Sequence, residues 1–261
     1  MTATFVNLFY SEWLKRKRSH ATALIAGGSL FTPLVVLLVR LTHPAGLARI
    51  YASDSFWPAL TRASWESMAI FFLPLGAILI ASLIAQLEFR GNAWKQVHAL
   101  PVHAAAVYFT KLVVIVILLA ELLALFNVAV YVSGLVPSLL VPGVPRPRGA
   151  FWTRQLLADD ALYFIDVLPI VAAQYVLALR WSNALVPIGA GFVAWVGALA
   201  AVSSRLAVWW PYSYPIIHYL QQTPKGAHFA GDVRIHLFAA IFFALLTLAG
   251  CAWFITRNER G

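Results

Sequence analysis

Charge is scarce in this sequence. Asp, Glu, Lys and Arg make up 11% of its 261 residues, less than half of the roughly 25% found in a soluble globular domain, and that excludes an ordinary water-soluble fold. Acidic residues are the rarer kind, 10 against 19 basic ones, which leaves a formal charge of +9. In a soluble chain that excess would suggest nucleic acid. Here the basic residues flank apolar runs, where they anchor and orient membrane spans, so nucleic acid is not an expected partner. Cysteine occurs once, at Cys251 inside an apolar run, which excludes an intramolecular disulfide. Also missing is any G-x-x-x-x-G-K-S/T phosphate loop, H-E-x-x-H, G-x-S-x-G or C-x-x-C. The chain therefore cannot cradle ATP in the usual way and shows no hydrolase or thiol signature. No cofactor is expected on it, and no internal repeat or low-complexity tract is visible.

What is present is apolar: 61% hydrophobic residues and a mean hydropathy of +0.79. Apolar runs fall at about 21–39, 66–87, 104–135, 161–179, 184–203 and 235–255, each long enough to cross a hydrocarbon core of about 30 Å as a helix. The prediction is an all-α polytopic membrane protein, one domain over 1–261, with six transmembrane helices and both termini on one side. Lys and Arg divide evenly between the two sides, nine and nine, with Lys111 near the edge of the third run. Four of them, Lys15 to Arg18, are packed immediately before the first span. That density places the termini in the cytosol. Pro33, Pro74, Pro169 and Pro187 fall inside the runs and predict kinks. The stretch 136–155 is Pro-rich and predicts an extended wall or lid.

Residues 1–20 place Phe5, Val6, Phe9, Tyr10, Trp13 and Leu14 on one helical face and Asn7, Ser11, Lys15 and Arg18 on the other, the pattern of a helix lying in the membrane interface. A second amphipathic segment lies between the second and third runs. Over 88–103 it has Phe89, Ala93, Val97 and Leu100 on one side and Glu88, Asn92 and Lys95 on the other, with Trp94 suited to the lipid–water boundary. Pro101 fits the first turn of the helix that follows. Such a segment can present its polar side to a soluble partner; the alternative is an ordinary loop. Residues 204–234 hold an aromatic and proline cluster, Trp210, Pro211, Tyr212 and Tyr214, followed by a piece too short to span, which predicts short helices dipping into the outer leaflet.

Two acids sit inside apolar runs. Glu121 is near the middle of the third and Asp166 about two turns into the fourth, where a charge is costly enough to face a bundle interior or wet cavity; both are candidates for a substrate path. Lys111 reads as a snorkelling residue. His228, Asp232 and His236 recur every four residues, so a continuous helix would put them on one face as a metal or proton site, although Gly226 and Gly231 interrupt it.

The motifs together resemble the permease subunits of type-2 ABC exporters, in particular the small six-span permeases of lantibiotic immunity and of peptide or drug efflux. Three places carry the resemblance. Glu12, Trp13, Leu14 and Lys15, with Arg16 in the basic run that follows, are similar to the family's amphipathic opening. Glu88, Arg90, Trp94, Lys95, Leu100, Pro101 and Lys111 resemble its loop between spans two and three. Trp210-Pro211-Tyr212-Ser213-Tyr214-Pro215 resembles its outer segment before the last span. His98 and His103 depart from the pattern, since relatives often carry Arg or Ser beside the Leu-Pro-Val.

The resemblance implies that the 88–103 loop is a coupling helix seated on a cytosolic ATP-binding-cassette ATPase, which holds the ATP and Mg. It further implies a second permease copy or sister permease, a bacterial inner (cytoplasmic) membrane location, and a hydrophobic or amphipathic cargo. The outer cluster is expected to cap the exit path. Two other classes stay open on the residues: a six-span membrane enzyme using the His228/Asp232/His236 face, and a proton-coupled transporter acting alone through Glu121 and Asp166.

Overall fold

A computed structural model describes residues 2–16, 19–87, 89, 103–223 and 234–258, and everything regular among them is helical. Helix α1 is Thr2–Lys15, α2 is Ala21–Thr42 and α3 is the short Leu47–Tyr51. Helix α4 runs Phe56–Gln86, α5 Ala104–Leu140, α6 Arg154–Arg180 and α7 Leu185–Ala201. After two 3₁₀ turns come α8, Tyr214–Gln221, and α9, Ile235–Asn258.

Five of these, α2, α4, α5, α6 and α9, are long and apolar enough to cross a membrane. The fifth apolar run, 184–203, forms only α7, whose 17 residues measure about 26 Å. The expectation of six full spans thus becomes five and a shorter one. Helix α2 shows what surrounds the bundle: its buried residues are Ala21, Ile25, Ser29 and Pro33, one every fourth position. On its other faces Phe31, Leu34, Leu38 and Val39 are 53–63% exposed. Apolar side chains on that scale suit lipid and not water.

Helix α4 starts ten residues before the run that predicts it, because Phe56–Ser67 is amphipathic: Phe56, Trp57, Leu60, Ser64 and Trp65 are buried on one face. Its middle, Met68–Phe72, is a π-helical turn ending just before Pro74. Pro74 has no N–H to give to the carbonyl of Ile70, four residues back. The indole of Trp195 on α7 donates to that carbonyl instead, at 2.8 Å, so the proline that breaks one helix fastens another to it.

The 37 residues of α5 measure about 55 Å, far more than a hydrocarbon core of about 30 Å needs. It packs on α2 with both helices running the same way: Gly28 faces Leu122, and Pro33 and Leu37 share a small cavity with Ala129 and Ser133. The first turns of α5 therefore project beyond the start of α2, and α1 lies against that projection. Contrary to the extended stretch expected from 136, α5 continues through Pro137 to Leu140, and the irregular part is 141–153, with Gly143 and Gly149 at φ 80° and 78°.

The helix order puts α1 and the α6–α7 turn at one end, the N-terminal end, and the α2–α4, α5–α6 and α7–α9 connections at the other, the loop end. At the N-terminal end Gln86 donates to the carbonyls of Ala178 (3.1 Å) and Trp181 (2.7 Å), and Arg257 to that of Leu179 (3.1 Å). The carbonyls at the end of α6, which have no helical donor of their own, are thereby satisfied. In mid-bundle Gln174 is a second knot, donating to Ser82 (2.9 Å) and to the carbonyl of Pro187 while accepting from Tyr212 (3.1 Å).

Candidate functional site

Thr153 caps α6, its hydroxyl accepting from the Leu156 N–H at 3.1 Å. Because the helix starts there and not at 161, Asp166 lies midway along it and not two turns in. Asp159, Tyr163, Asp166, Ile170 and Gln174 follow at steps of four, three, four and four, a single helical stripe whose last four members are buried. That polar stripe was readable in the sequence and is the signal the reading of isolated acids passes over.

Helix α8 folds back into the bundle, with Tyr214 to Tyr219 all buried. It carries His218 to Asp166. His236, in the first turn of α9, arrives from the other side. Its Nδ1 is 2.8 Å from Asp166 Oδ1 in a hydrogen bond. His218 Nδ1 is 2.8 Å from Asp166 Oδ2, but off the line of a hydrogen bond. The other nitrogen of His218 meets the Gln222 amide at 3.1 Å, and Tyr163 donates to the Gln222 oxygen at 3.4 Å.

Aromatic rings fix the imidazole: Trp65 stacks on Tyr163 (4.0 Å between centroids) and Tyr163 on His218 (3.9 Å). Next to His218 in the chain, burial, then the neighbouring Glu66, raises the pKa of Tyr219, so its hydroxyl stays protonated and hydrogen-bonded to Glu66.

Tyr163 and Gln222 also line a cavity of about 410 Å³ at the loop end. Trp57, Trp65 and Phe151 form its apolar wall, with Arg62 and Asp159 at its polar side. A molecule with an aromatic or aliphatic body and a charged group matches such a lining.

A second polar cluster joins α1 to α5. Glu12, only 6% exposed, lies 2.6 Å from Lys15 and 2.5 Å from Lys111. Lys111 is fully buried, so it is not the snorkelling residue that its place at the edge of an apolar run suggests. Arg16 bonds both oxygens of Glu121 at 2.9 Å and lies 3.5 Å over the ring of Trp13. Glu12, Lys15 and Lys111 thus form one group, and Trp13, Arg16 and Glu121 another. Glu121 meets Arg16 and stands level with Gly28 of α2, about two turns in from the start of that helix. It is central only within the overlong α5, and it does not share partners with Asp166.

Of the aromatic cluster of the outer segment, Tyr212 and Tyr214 turn inward and Trp210 stays 43% exposed. Trp210 donates to the Ala194 carbonyl (2.9 Å), Tyr212 to Gln174 (3.1 Å) and Tyr214 to the Val208 carbonyl (2.9 Å). Pro211 opens the 3₁₀ turn between them. Glu88, Arg90, Trp94, Lys95 and Pro101 of the expected coupling segment lie outside the described residues, as do His228 and Asp232. His236 is described, and its partner is Asp166.

Residues 8–198, well over half of the chain, match the family model described as ABC-2 family transporter protein. No curated protein and no solved structure matches the chain.

Proposed function

Because the chain belongs to the ABC-2 family of transporter proteins, a family of transporter membrane components, we propose that it is the permease half of an exporter driven by a separate ATPase. Two permeases, identical or sister, sit in a bacterial inner membrane with both termini in the cytosol. Two cytosolic ATP-binding-cassette subunits bind the ATP and Mg. The amphipathic 88–103 segment, whose Glu88, Arg90 and Lys95 reach the partner, is the seat for the ATPase, with Trp94 at the lipid–water boundary and Pro101 leading into the next helix. The α1 seam of Glu12, Lys15, Arg16 and Trp13 ties the same end of the bundle to α5, so that a push on one is felt by the other. On this reading α7 completes the set of six spans.

The family match supports the permease role; the cavity supports the cargo. Its wall of Trp57, Trp65, Phe151 and Tyr163 beside Arg62 and Asp159 fits a hydrophobic or amphipathic compound, such as a peptide, a lantibiotic or a drug, taken from or cleared off the membrane. Trp210, Pro211, Tyr212 and Tyr214 then cap the way out, and Asp166 lies beside the path. The test is ATP hydrolysis by the complex co-expressed with its ATPase. An amphipathic peptide should stimulate it, and Arg62→Ala with Trp65→Phe, which keeps a ring in the core, should raise the half-stimulating concentration about tenfold, with assembly unchanged. Stimulation identical in wild type and variants would remove the cavity from the pathway.

A further inference from the structure

We propose that Asp166, His218 and His236 bind one divalent transition-metal ion of the zinc class, which fastens α8 between α6 and α9. The three residues come from three helices, and each offers a donor atom within 4.8 Å of the others. Two imidazole nitrogens with one carboxylate oxygen suit zinc and its first-row neighbours, whereas magnesium and calcium take oxygen throughout. This is a different group from the His228/Asp232/His236 face that the sequence suggests; only His236 belongs to both.

The contact between Asp166 and His218 carries the inference. Oδ2 and Nδ1 are 2.8 Å apart, buried, and without a hydrogen-bond partner. Two buried polar atoms face to face without a hydrogen bond are costly; with the His218 proton on Nε2 each has a lone pair to give, and a cation held between them satisfies both. Asp166 is fully buried midway along an apolar helix, where a carboxylate calls for positive charge close by. His236 is 31% exposed, leaving an approach for the ion and room for a water as fourth ligand.

The surroundings are those of a ligand imidazole. Tyr163 stacks on His218 at 3.9 Å, and the Gln222 side chain, 3.1 Å from Nε2, holds the far nitrogen. With metal on Nδ1, Nε2 carries the proton; turning the Gln222 amide over then keeps both its bonds, to His218 and to Tyr163.

The proposal does not rest on the transport reading, and its test does not use transport. The full chain, purified with a tag that contains no histidine, is stripped with EDTA, dialysed against ZnCl₂ and then buffer, and its zinc counted by mass spectrometry. One zinc per chain is expected, with a raised Tm and, for cobalt in its place, the visible absorption of a four-coordinate site. His236→Gln, at the exposed ligand, should keep the fold by size-exclusion chromatography and lose the zinc, as should Asp166→Asn. Gln222→Leu, which removes only the support of His218, should weaken binding by about 10- to 100-fold. If the wild type holds no more zinc than His236→Gln, the three residues are a hydrogen-bonded chain sharing a proton and the proposal fails. Equal zinc in wild type and both ligand variants would put the metal elsewhere and overturn it as well.

Discussion

Trp195→Phe, measured in the native chain and again with Pro74→Ala, isolates the link between a helix defect and a helix contact. In the native chain the indole N–H serves the Ile70 carbonyl at 2.8 Å, which Pro74 leaves without its helical donor. Phe in place of Trp195 keeps most of the packing against Phe71 and Phe192 (centroids at 5.3 and 5.4 Å) but orphans that carbonyl. Losing a partner for a buried carbonyl costs about 1–3 kcal/mol in soluble proteins; hydrogen bonds between membrane helices average about 0.6 and reach about 1.7 kcal/mol. Trp195 is 5% exposed, so no water stands in, and the upper part of the membrane range applies. Pro74→Ala gives the helix back its own N–H. The cost of Trp195→Phe should then fall by about 1 kcal/mol, a change of roughly fivefold in the unfolding constant. The assay is reversible SDS unfolding in mixed micelles of all four proteins. Costs that agree within about 0.3 kcal/mol in the two backgrounds would refute the link between Pro74 and Trp195.

Gly191→Ala should destabilise the bundle by about 1–3 kcal/mol in the same assay, because a Cβ there would stand 2.5 Å from Gln174 Oε1 and 2.9 Å from Ile78; Gly189→Ala, with open space around it, should not. Arg16→Glu should loosen α1 by no more than about 1 kcal/mol, since Glu121 is 40% exposed, and the swap Arg16→Glu with Glu121→Arg should restore protection of α1 from limited proteolysis. A cysteine at Asn92 should be labelled from the cytosolic side only, with the native Cys251 silent because it is buried; labelling from outside alone would invert the topology.

The helical runs were legible in the sequence because most of what each buries or turns outward is apolar, and hydropathy reads that directly. The start of α4 was not. Thr61, Arg62, Ser64 and Glu66 lower the average over a stretch whose one face, Trp57, Leu60 and Trp65, is in the core. Length misled at Glu121, which looks central until the offset of α5 against α2 is known. Lys111 sits near the edge of an apolar run, and only the approach of Glu12, 99 residues away, shows that it is paired and buried. For His236 a local period of four pointed to its neighbours, whereas its partners come from α6 and α8, 70 and 18 positions earlier in the chain. The acid of that group stood out by its cost in an apolar helix. His218 did not, since nothing in YPIIHYLQ says that a helix of eight residues turns into the bundle.

The central claim, a permease powered by a separate ATPase, is tested most directly by rebuilding the system in liposomes. The chain is reconstituted with a phosphate-loop ATPase from a neighbouring reading frame, and movement of a fluorescent amphipathic peptide across or out of the bilayer is followed. Movement should require both subunits and hydrolysable ATP, and Glu88→Lys should abolish it while leaving the permease folded in the membrane. Peptide movement by the chain alone, driven by a proton gradient and indifferent to ATP and to Glu88→Lys, would contradict the account.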